Sequence, residues 1–402
     1  MTLHLLPIIQ NPKSKIASPT PPLGILNLIS PDFFSDTMRQ PTPTLPLPGT
    51  PPLPTSLDQV PLPDPLPPLV ITAFTRPDLL TPVLDGIRQQ TLLPPRMIAF
   101  LDGARHERDE PLIQDCVALL NGFSTTVPVE IVRRSRNLGC DQNVITGFTE
   151  VFRHHEALVY LEDDDVPNPH FFDRLCRLLA AYQPHPQVCS VSAYANFPEG
   201  LADQIDTDFM VSRRVFSWGF GIWRDRWQSL DLANRPGQFN PFGSFYQIPA
   251  TEQTKLTLVN QFWLEHNHKT DWVITLTLAA FHANQVHITP LKSFVNNIGF
   301  GHPQSETYRK SSPDWVNAHY DAAVHPDLLP PSLELHPQIQ ARLSGWALAR
   351  HLAQASGLWL HPRALWHFLT AYPDWRSLPL WLGLFLRRSP QLWIRWRSGR
   401  SV

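Results

Sequence analysis

From residue 69 onward the chain alternates short apolar runs with helical stripes. Leu69-Val70-Ile71-Thr72-Ala73-Phe74 is a β-branched run that predicts a first strand. After Thr75-Arg76-Pro77-Asp78, apolar residues recur at Leu79, Leu80, Val83, Leu84 and Ile87, the spacing of one helix face. Met97-Ile98-Ala99-Phe100-Leu101 predicts a second strand, ending in Asp102-Gly103. A second helical stripe (Leu112, Ile113, Cys116, Val117, Leu119, Leu120) precedes a third strand over Val127 to Val132. Asn137-Leu138-Gly139 then turns the chain into a helix from about Asn143 to Arg153. Leu158-Val159-Tyr160-Leu161 reads as a strand buried on both faces, followed by a helix over Phe171 to Tyr182 and a strand over Val188 to Ala193. Strands alternating with helices predict an α/β class: a doubly wound, mostly parallel sheet with right-handed crossovers.

The apolar run at 158–161 leads straight into Glu162-Asp163-Asp164-Asp165, with Pro167 and Pro169 just beyond. The prolines are expected to stop the strand ladder and leave the acids at the strand's carboxyl end, where open α/β sheets bind ligands. Adjacent carboxylates repel, so a positive partner is expected. Mg2+ or Mn2+ suits their hard oxygens and would in turn hold phosphate. A solvated acidic loop is the alternative. Neither GxGxxG nor GxxxxGK[ST] follows the first strand, which argues against a Rossmann dinucleotide site and a P-loop.

Phe216 to Trp227 interleaves aromatics with glycines, a composition suited to stacking on a sugar ring. Trp218, Gly219 and Trp223 are therefore sugar-stacking candidates, against core packing of Trp223 and Trp227. Asp271 before the apolar helix Trp272 to Phe281 reads by itself as an N-cap. Phe294 to His302 brings a further Asn- and Gly-rich turn.

The 402 residues carry a formal net charge of -2, which argues against a partner held by nucleic-acid phosphates. Cys116, Cys140, Cys176 and Cys189 have no metal-finger spacing and read as thiols of a reducing compartment. No apolar run is long enough to span a bilayer, and Pro7, Asn11, Pro12 and Lys13 interrupt any signal-peptide core. Residues 1–68 are expected to be a disordered tether, with proline recurring densely from Pro41 to Pro68. Residues 69–310 are expected to be the catalytic domain and 311–402 a helical region. The end of that region is basic and aromatic (Trp366, Trp375, Trp381, Arg387, Arg388, Trp393). It reads either as an in-plane membrane anchor or as a helical subdomain.

Five stretches together resemble glycosyltransferases of the GT-A fold: Ala73-Phe74-Thr75-Arg76-Pro77, Asn137-Leu138-Gly139-Cys140, Leu161-Glu162-Asp163-Asp164, Ser217-Trp218-Gly219-Phe220 with Trp223, and Asn297-Ile298-Gly299-Phe300. They span about residues 69 to 305. They are similar to bacterial family-2-like sugar transferases and, more distantly, to the Golgi N-acetylglucosaminyltransferase that initiates hybrid N-glycans. The resemblance implies a nucleotide-sugar donor, with uracil the expected base, and a glycan or lipid-linked acceptor. Thr72, Phe74 and Arg76 would line the nucleoside pocket, Asp102 would bond the base, and Glu162 and Asp163 would contact ribose or sugar. Mn2+ (or Mg2+) would fall to Asp164 or Asp165, and the acceptor to Trp218, Gly219 and Trp223. Relatives of this type invert the anomeric carbon with a carboxylate base, a role for which Asp271 is the candidate. His302 is a second candidate near the site. The expected setting is cytoplasmic, at the inner membrane face if the tail is an anchor. A nucleotidyltransferase shares this metal chemistry, but the stretch from Ala73 to Asp78 lacks glycine. A non-catalytic scaffold is the remaining alternative.

Overall fold

A computed structural model of the protein describes residues 50–197, 200–230, 272–304 and 312–336. In chain order its first half runs β1 (Leu69–Ala73), α1 (Pro77–Arg88), β2 (Met97–Leu101), α2 (Asp109–Phe123), β3 (Val129–Arg133), α3 (Cys140–Val151), β4 (Ala157–Glu162) and β5 (Asp165–Pro167). There follow α4 (Phe171–Tyr182), β6 (Val188–Ser192), β7 (Phe209–Ser212), β8 (Phe220–Trp223), α5 (Arg224–Ser229), α6 (Trp272–His282), β9 (Val286–Pro290) and β10 (Val295–Asn297).

Eight strands form one sheet in the order β3-β2-β1-β4-β8-β6-β9-β7. The first four are parallel neighbours, as the alternation of elements predicts. β8 is antiparallel to β4 and β6, and β7 is antiparallel to β9, so the sheet is mixed but mostly parallel. Side-chain alternation sorts the strands into two cores. Leu69, Ile71, Met97, Ala99, Val159 and Leu161 face one layer, with α1, α2 and α4 supplying Leu80, Cys116 and Leu175. Val70, Ile98, Phe100, Leu158 and Tyr160 face the other, against Phe148 of α3, Trp227 of α5 and Trp272 of α6. Both faces of the sheet are thus covered, which is why its strands read as near-continuous apolar runs.

Three expectations are corrected. The prolines after the acids do not end strand pairing: β5 pairs antiparallel with β10, setting Asp165 opposite Asn297 and Pro167 opposite Val295. A two-stranded ribbon leaves one edge unpaired, which is where a residue without an N–H is tolerated. The aromatic stretch after Trp218, read as a sugar-stacking surface, is a central strand of the sheet. Gly221 lies there because a Cβ would meet Val191 at 3.0 Å and Leu179 of α4 at 3.3 Å. Trp223 is buried in the first core, its indole N–H donating to the carbonyl of Leu179 at 3.2 Å.

Order also begins before residue 69. Leu57 is fully buried, and the backbone around it pairs with residues 327–329 through Leu57 N to Asp327 O (3.0 Å) and Leu329 N to Thr55 O (2.9 Å). Asp327 also accepts the Ser56 hydroxyl at 2.9 Å and the Asp58 N–H at 2.8 Å. Residues 50–68 are thus a strap on the domain, because leucines between the prolines have apolar surface to cover. The rest of the proline-rich arm (1–49) and the basic aromatic tail (337–402) lie outside the described residues. No helix among the described residues is long and apolar enough to cross a membrane.

Candidate functional site

The carboxyl ends of β1, β2 and β4 and the loops after β6 and β10 enclose a cleft of about 730 Å³. That volume is within the range of small-molecule sites. Thr72, Phe74, Arg76, Asp102, Glu162, Asp163 and Asp164 all line it, so the structure brings seven sequence candidates into one cavity. Trp218 lines it from the opposite half of the sheet.

The acids sit where β4 ends and turns into β5. Arg76, at the first turn of α1, reaches into them. Its guanidinium bonds Asp163 through Nη2 and through Nε at 3.3 Å, and Asp164 Oδ2 through Nη1 at 2.7 Å. Burial opposes the charge on Arg76, but Asp163 and Asp164 outweigh it and hold the group firmly protonated. One guanidinium does not balance four acids. Burial, and then the charge of Asp164, push the Glu162 carboxyl up to about 8, with Arg76 and a hydrogen bond to Ser217 pulling the other way. Burial also raises Asp164, with Arg76 opposing.

Asp165 does not face the cleft. It is wholly buried, accepts Asn297 Nδ2 at 2.9 Å, and is held well above the carboxylate range by burial and then by Glu162 and Asp164. Asn297 ties this corner together: Nδ2 also reaches Asp164 Oδ1 at 3.3 Å, and Oδ1 accepts the Gly299 N–H at 3.1 Å. Gly299 is a cradle for Asp164, since a Cβ at 299 would lie 1.8 Å from Asp164 Oδ2. The Mn2+ or Mg2+ that the acidic motif implies can be tested against these groups. Among the described residues no three His, Cys, Asp or Glu side chains converge into an all-protein cage. The donor set fits the other mode, in which one or two carboxylates share the cation with phosphate oxygens. Asp164 and Asp163 present that chemistry to the cleft.

Asp102 is used differently from the expectation. Its oxygens accept four hydrogen bonds: from Gly103 N (2.8 Å), Leu138 N (2.7 Å), Asn137 Nδ2 (2.9 Å) and Gly139 N (2.9 Å). That occupies the capacity of a carboxylate and fixes the 137–139 turn at the cleft wall. Nearby, Arg105 lies over the Phe74 ring at 4.7 Å from its centroid, and Thr72 Oγ1 is 2.6 Å from the Tyr160 hydroxyl.

Other candidates are not in the cavity wall. Trp223 is core, as above. Gly219 (φ 68°) is a left-handed turn residue packed against Phe171 and Ala193, so only Trp218 of the acceptor candidates reaches the cleft. His302 pairs with Asp78 at 3.0 Å outside the lining. Asp271 lies outside the described residues. Its neighbour Trp272 lines the cleft and donates its N–H to Asp141 Oδ1 at 3.1 Å, so Asp141 serves the start of α6. Sequence reasoning missed Tyr194, Asn196 and Trp315, which also line the cleft. A polar residue flanked by aromatics just past β6 was a usable signal for Asn196. Trp315, alone in a polar stretch, offered none.

The family described as Glycosyl transferase family 2 matches residues 69–245, a stretch holding every acid that lines the cleft together with β1, β2 and β4. This agrees with the GT-A arrangement of the sheet. No curated protein matches the chain. Among solved structures, a mannosyltransferase from Pyrobaculum calidifontis in complex with GDP-Man and Mn2+ is 12% identical, with a TM-score of 0.35, over 58% of this chain and 78% of its own. TarS of S. aureus is 9% identical, with a TM-score of 0.32, over 79% of this chain and 47% of its own. A UDP-glucose pyrophosphorylase complexed with UDP-glucose is 10% identical, with a TM-score of 0.30, over 56% of this chain and 90% of its own. These likenesses are slight.

Proposed function

We propose that the protein is a metal-dependent, inverting glycosyltransferase that moves a hexosyl or N-acetylhexosaminyl group from a nucleotide-sugar, UDP-linked by preference, to a glycan or lipid-linked acceptor. The observation that carries this reading is the carboxylate cluster Glu162-Asp163-Asp164 at the end of β4. It opens on one large cleft, inside the stretch matched by the glycosyl transferase family.

Phe74, with Arg105 over its ring, and Thr72 form the nucleoside wall. Asp102 shapes that wall through the 137–139 turn, in place of bonding the base itself. Arg76 stands at the acids with a fixed positive charge, suited to a diphosphate. Asp164, seated against Gly299 and shared with Asp163, would hold the divalent cation. Bound there, a cation supplies Lewis-acid stabilisation to the leaving diphosphate. Glu162, hydrogen-bonded to Ser217 and next to the acids, is suited to a hydroxyl of the transferred sugar. Asp271 is proposed as the general base; its neighbour Trp272 at the cleft supports that assignment. The more distant likeness to the Golgi enzyme, and a membrane-face location through the basic aromatic tail, rest on sequence alone.

Calorimetric titration of UDP with and without Mn2+ tests the reading. UDP should bind the intact chain in the presence of Mn2+ and lose roughly tenfold or more in affinity in Asp164→Ala. Asp271→Asn should bind UDP normally and lose turnover. Failure of UDP, GDP and dTDP to bind with any divalent metal would sink it.

A further inference from the structure

The half of the cleft across β4 from the nucleoside wall contains a feature that neither the acids nor the donor reading uses. Four aromatic rings and one amide meet there. The Trp218 and Trp315 indoles are parallel within 5°, their centroids 6.4 Å apart. Phe300 stands edge-on to both, at 5.7 Å and 84° from Trp218 and 5.8 Å and 89° from Trp315. Tyr194 abuts Trp218 at 4.6 Å. Beside them is Asn196, 1% exposed, with neither Nδ2 nor Oδ1 given a hydrogen-bond partner. All five residues line the cleft.

This corner is built, not incidental. The Tyr194 hydroxyl donates to the Val316 carbonyl at 2.8 Å, seating the residue next to Trp315. Asn317 Nδ2 donates to the Asn297 carbonyl at 2.9 Å, and Ser293 N to the His319 carbonyl at 2.8 Å. Trp315, beyond the stretch matched by the family, is thereby held against Trp218 within it. A buried amide with both ends unpaired costs stability, roughly 1–3 kcal/mol in mutational series. Such a group is completed by a water, an ion or a ligand, and Asn196 lines the cleft where a ligand can reach it.

We propose that Asn196, Trp218, Phe300 and Trp315 form the subsite for a pyranose ring of the acceptor, bound by two adjacent ring hydroxyls. The inference rests on the transferase reading above and adds the acceptor's recognition chemistry. The C–H face of a pyranose is weakly positive and stacks on the negative face of an indole. A primary amide presents a donor and an acceptor side by side, which matches one hydroxyl that accepts and a neighbour that donates. Neither element provides a place for a nucleobase phosphate or a second metal. The strand order puts the subsite beside β8 and β6, with the acids between it and β1–β2.

The test uses the full-length protein, and methyl α-glucopyranoside, methyl β-galactopyranoside and methyl α-mannopyranoside as probes, read by saturation-transfer NMR with UDP and Mn2+ present. At least one glycoside should bind saturably. Asn196→Ala and Trp315→Ala should each weaken it about tenfold and leave UDP affinity unchanged. Asn196→Ala should also keep or raise the melting temperature, an outcome a structural role for the amide would not give. The same probe lacking one hydroxyl of the pair should bind the wild type about as weakly as the intact probe binds Asn196→Ala. The subsite is wrong if UDP binds while the glycosides do not, if both variants bind them like wild type, or if the variants lose UDP binding and stability together. If UDP itself fails to bind the wild type, the transferase reading falls first and the subsite with it.

Discussion

Position 299 carries no side chain because Asp164 already fills the space: a Cβ there would lie 1.8 Å from Asp164 Oδ2. An added methyl must push the carboxylate, or the 297–300 turn that Asn297 secures, out of place. Gly299→Ala is therefore expected to cost about 1–3 kcal/mol in urea unfolding, as overpacking does, and to weaken Mn2+-dependent UDP binding by more than about tenfold in the same calorimetric assay. Wild-type affinity in that variant would show that the Asp164 carboxylate does not have to stay where the turn holds it. At this scale the sequence was informative about chemistry and poor about geometry. Asp163 and Asp164 were legible because acids crowded at a strand end need a positive partner; that Arg76, expected at the nucleoside wall, is such a partner was not. The part played by Asp102 was not, because its four N–H donors come from residues 35 to 37 positions further on as well as from the adjacent residue. Asp165 shows the same limit: its neighbours face the cleft, yet pairing with β10 turns it inward.

Elements with an unbroken apolar run were readable, and those assembled from mixed residues were not. Helix Phe171–Tyr182 and strand Met97–Leu101 lie where periodicity puts them. β8 escaped because Phe220-Gly221-Ile222-Trp223 has a glycine in its middle, and the reason for that glycine is Val191 of β6 beside it and Leu179 of α4 above it. The strap was misread for the opposite reason. Proline density spoke against helix and sheet, correctly, but an extended segment can still bury side chains. Leu57 does so completely, in the core shared with α4 and Leu329. Leu57→Ala should cost about 3 kcal/mol in thermal or urea unfolding. A change below about half a kcal/mol would mean that the segment is a tether after all.

At the largest scale, the described residues form two apolar layers on one sheet, with buried polar side chains both at the cleft and away from it. His287 is one of the latter. It lies wholly buried in β9, its Nδ1 2.8 Å from the Ser190 hydroxyl and its Nε2 without a partner. Burial first, then the charge of Arg213, lower it from 6.5 to about 3. The unfolded chain takes up this proton near 6.5 and the folded one only near 3, so the stability it contributes is present above 6.5 and is lost as pH falls through that window. The loss amounts to about 2 kcal/mol by pH 5. His287→Gln should remove that much of the difference between urea midpoints measured at pH 7 and pH 5. An unaltered pH slope would contradict it.

The clasp between residues 55–58 and 327–329 has a consequence for synthesis. Ser56 and Asp327 are separated by 271 positions, so the clasp cannot close until almost the whole domain has followed, although α4 offers Asp58 a partner earlier, in Arg174. At translation rates of about 5–20 residues per second, that wait is tens of seconds. During it the side of Leu57 that Leu329 will cover stands open to water and to other chains, and the final contact closes a loop of 271 positions. The prolines on either side of Leu57 then have a use before folding is complete. They keep an exposed, leucine-bearing segment from pairing edge to edge with another nascent chain.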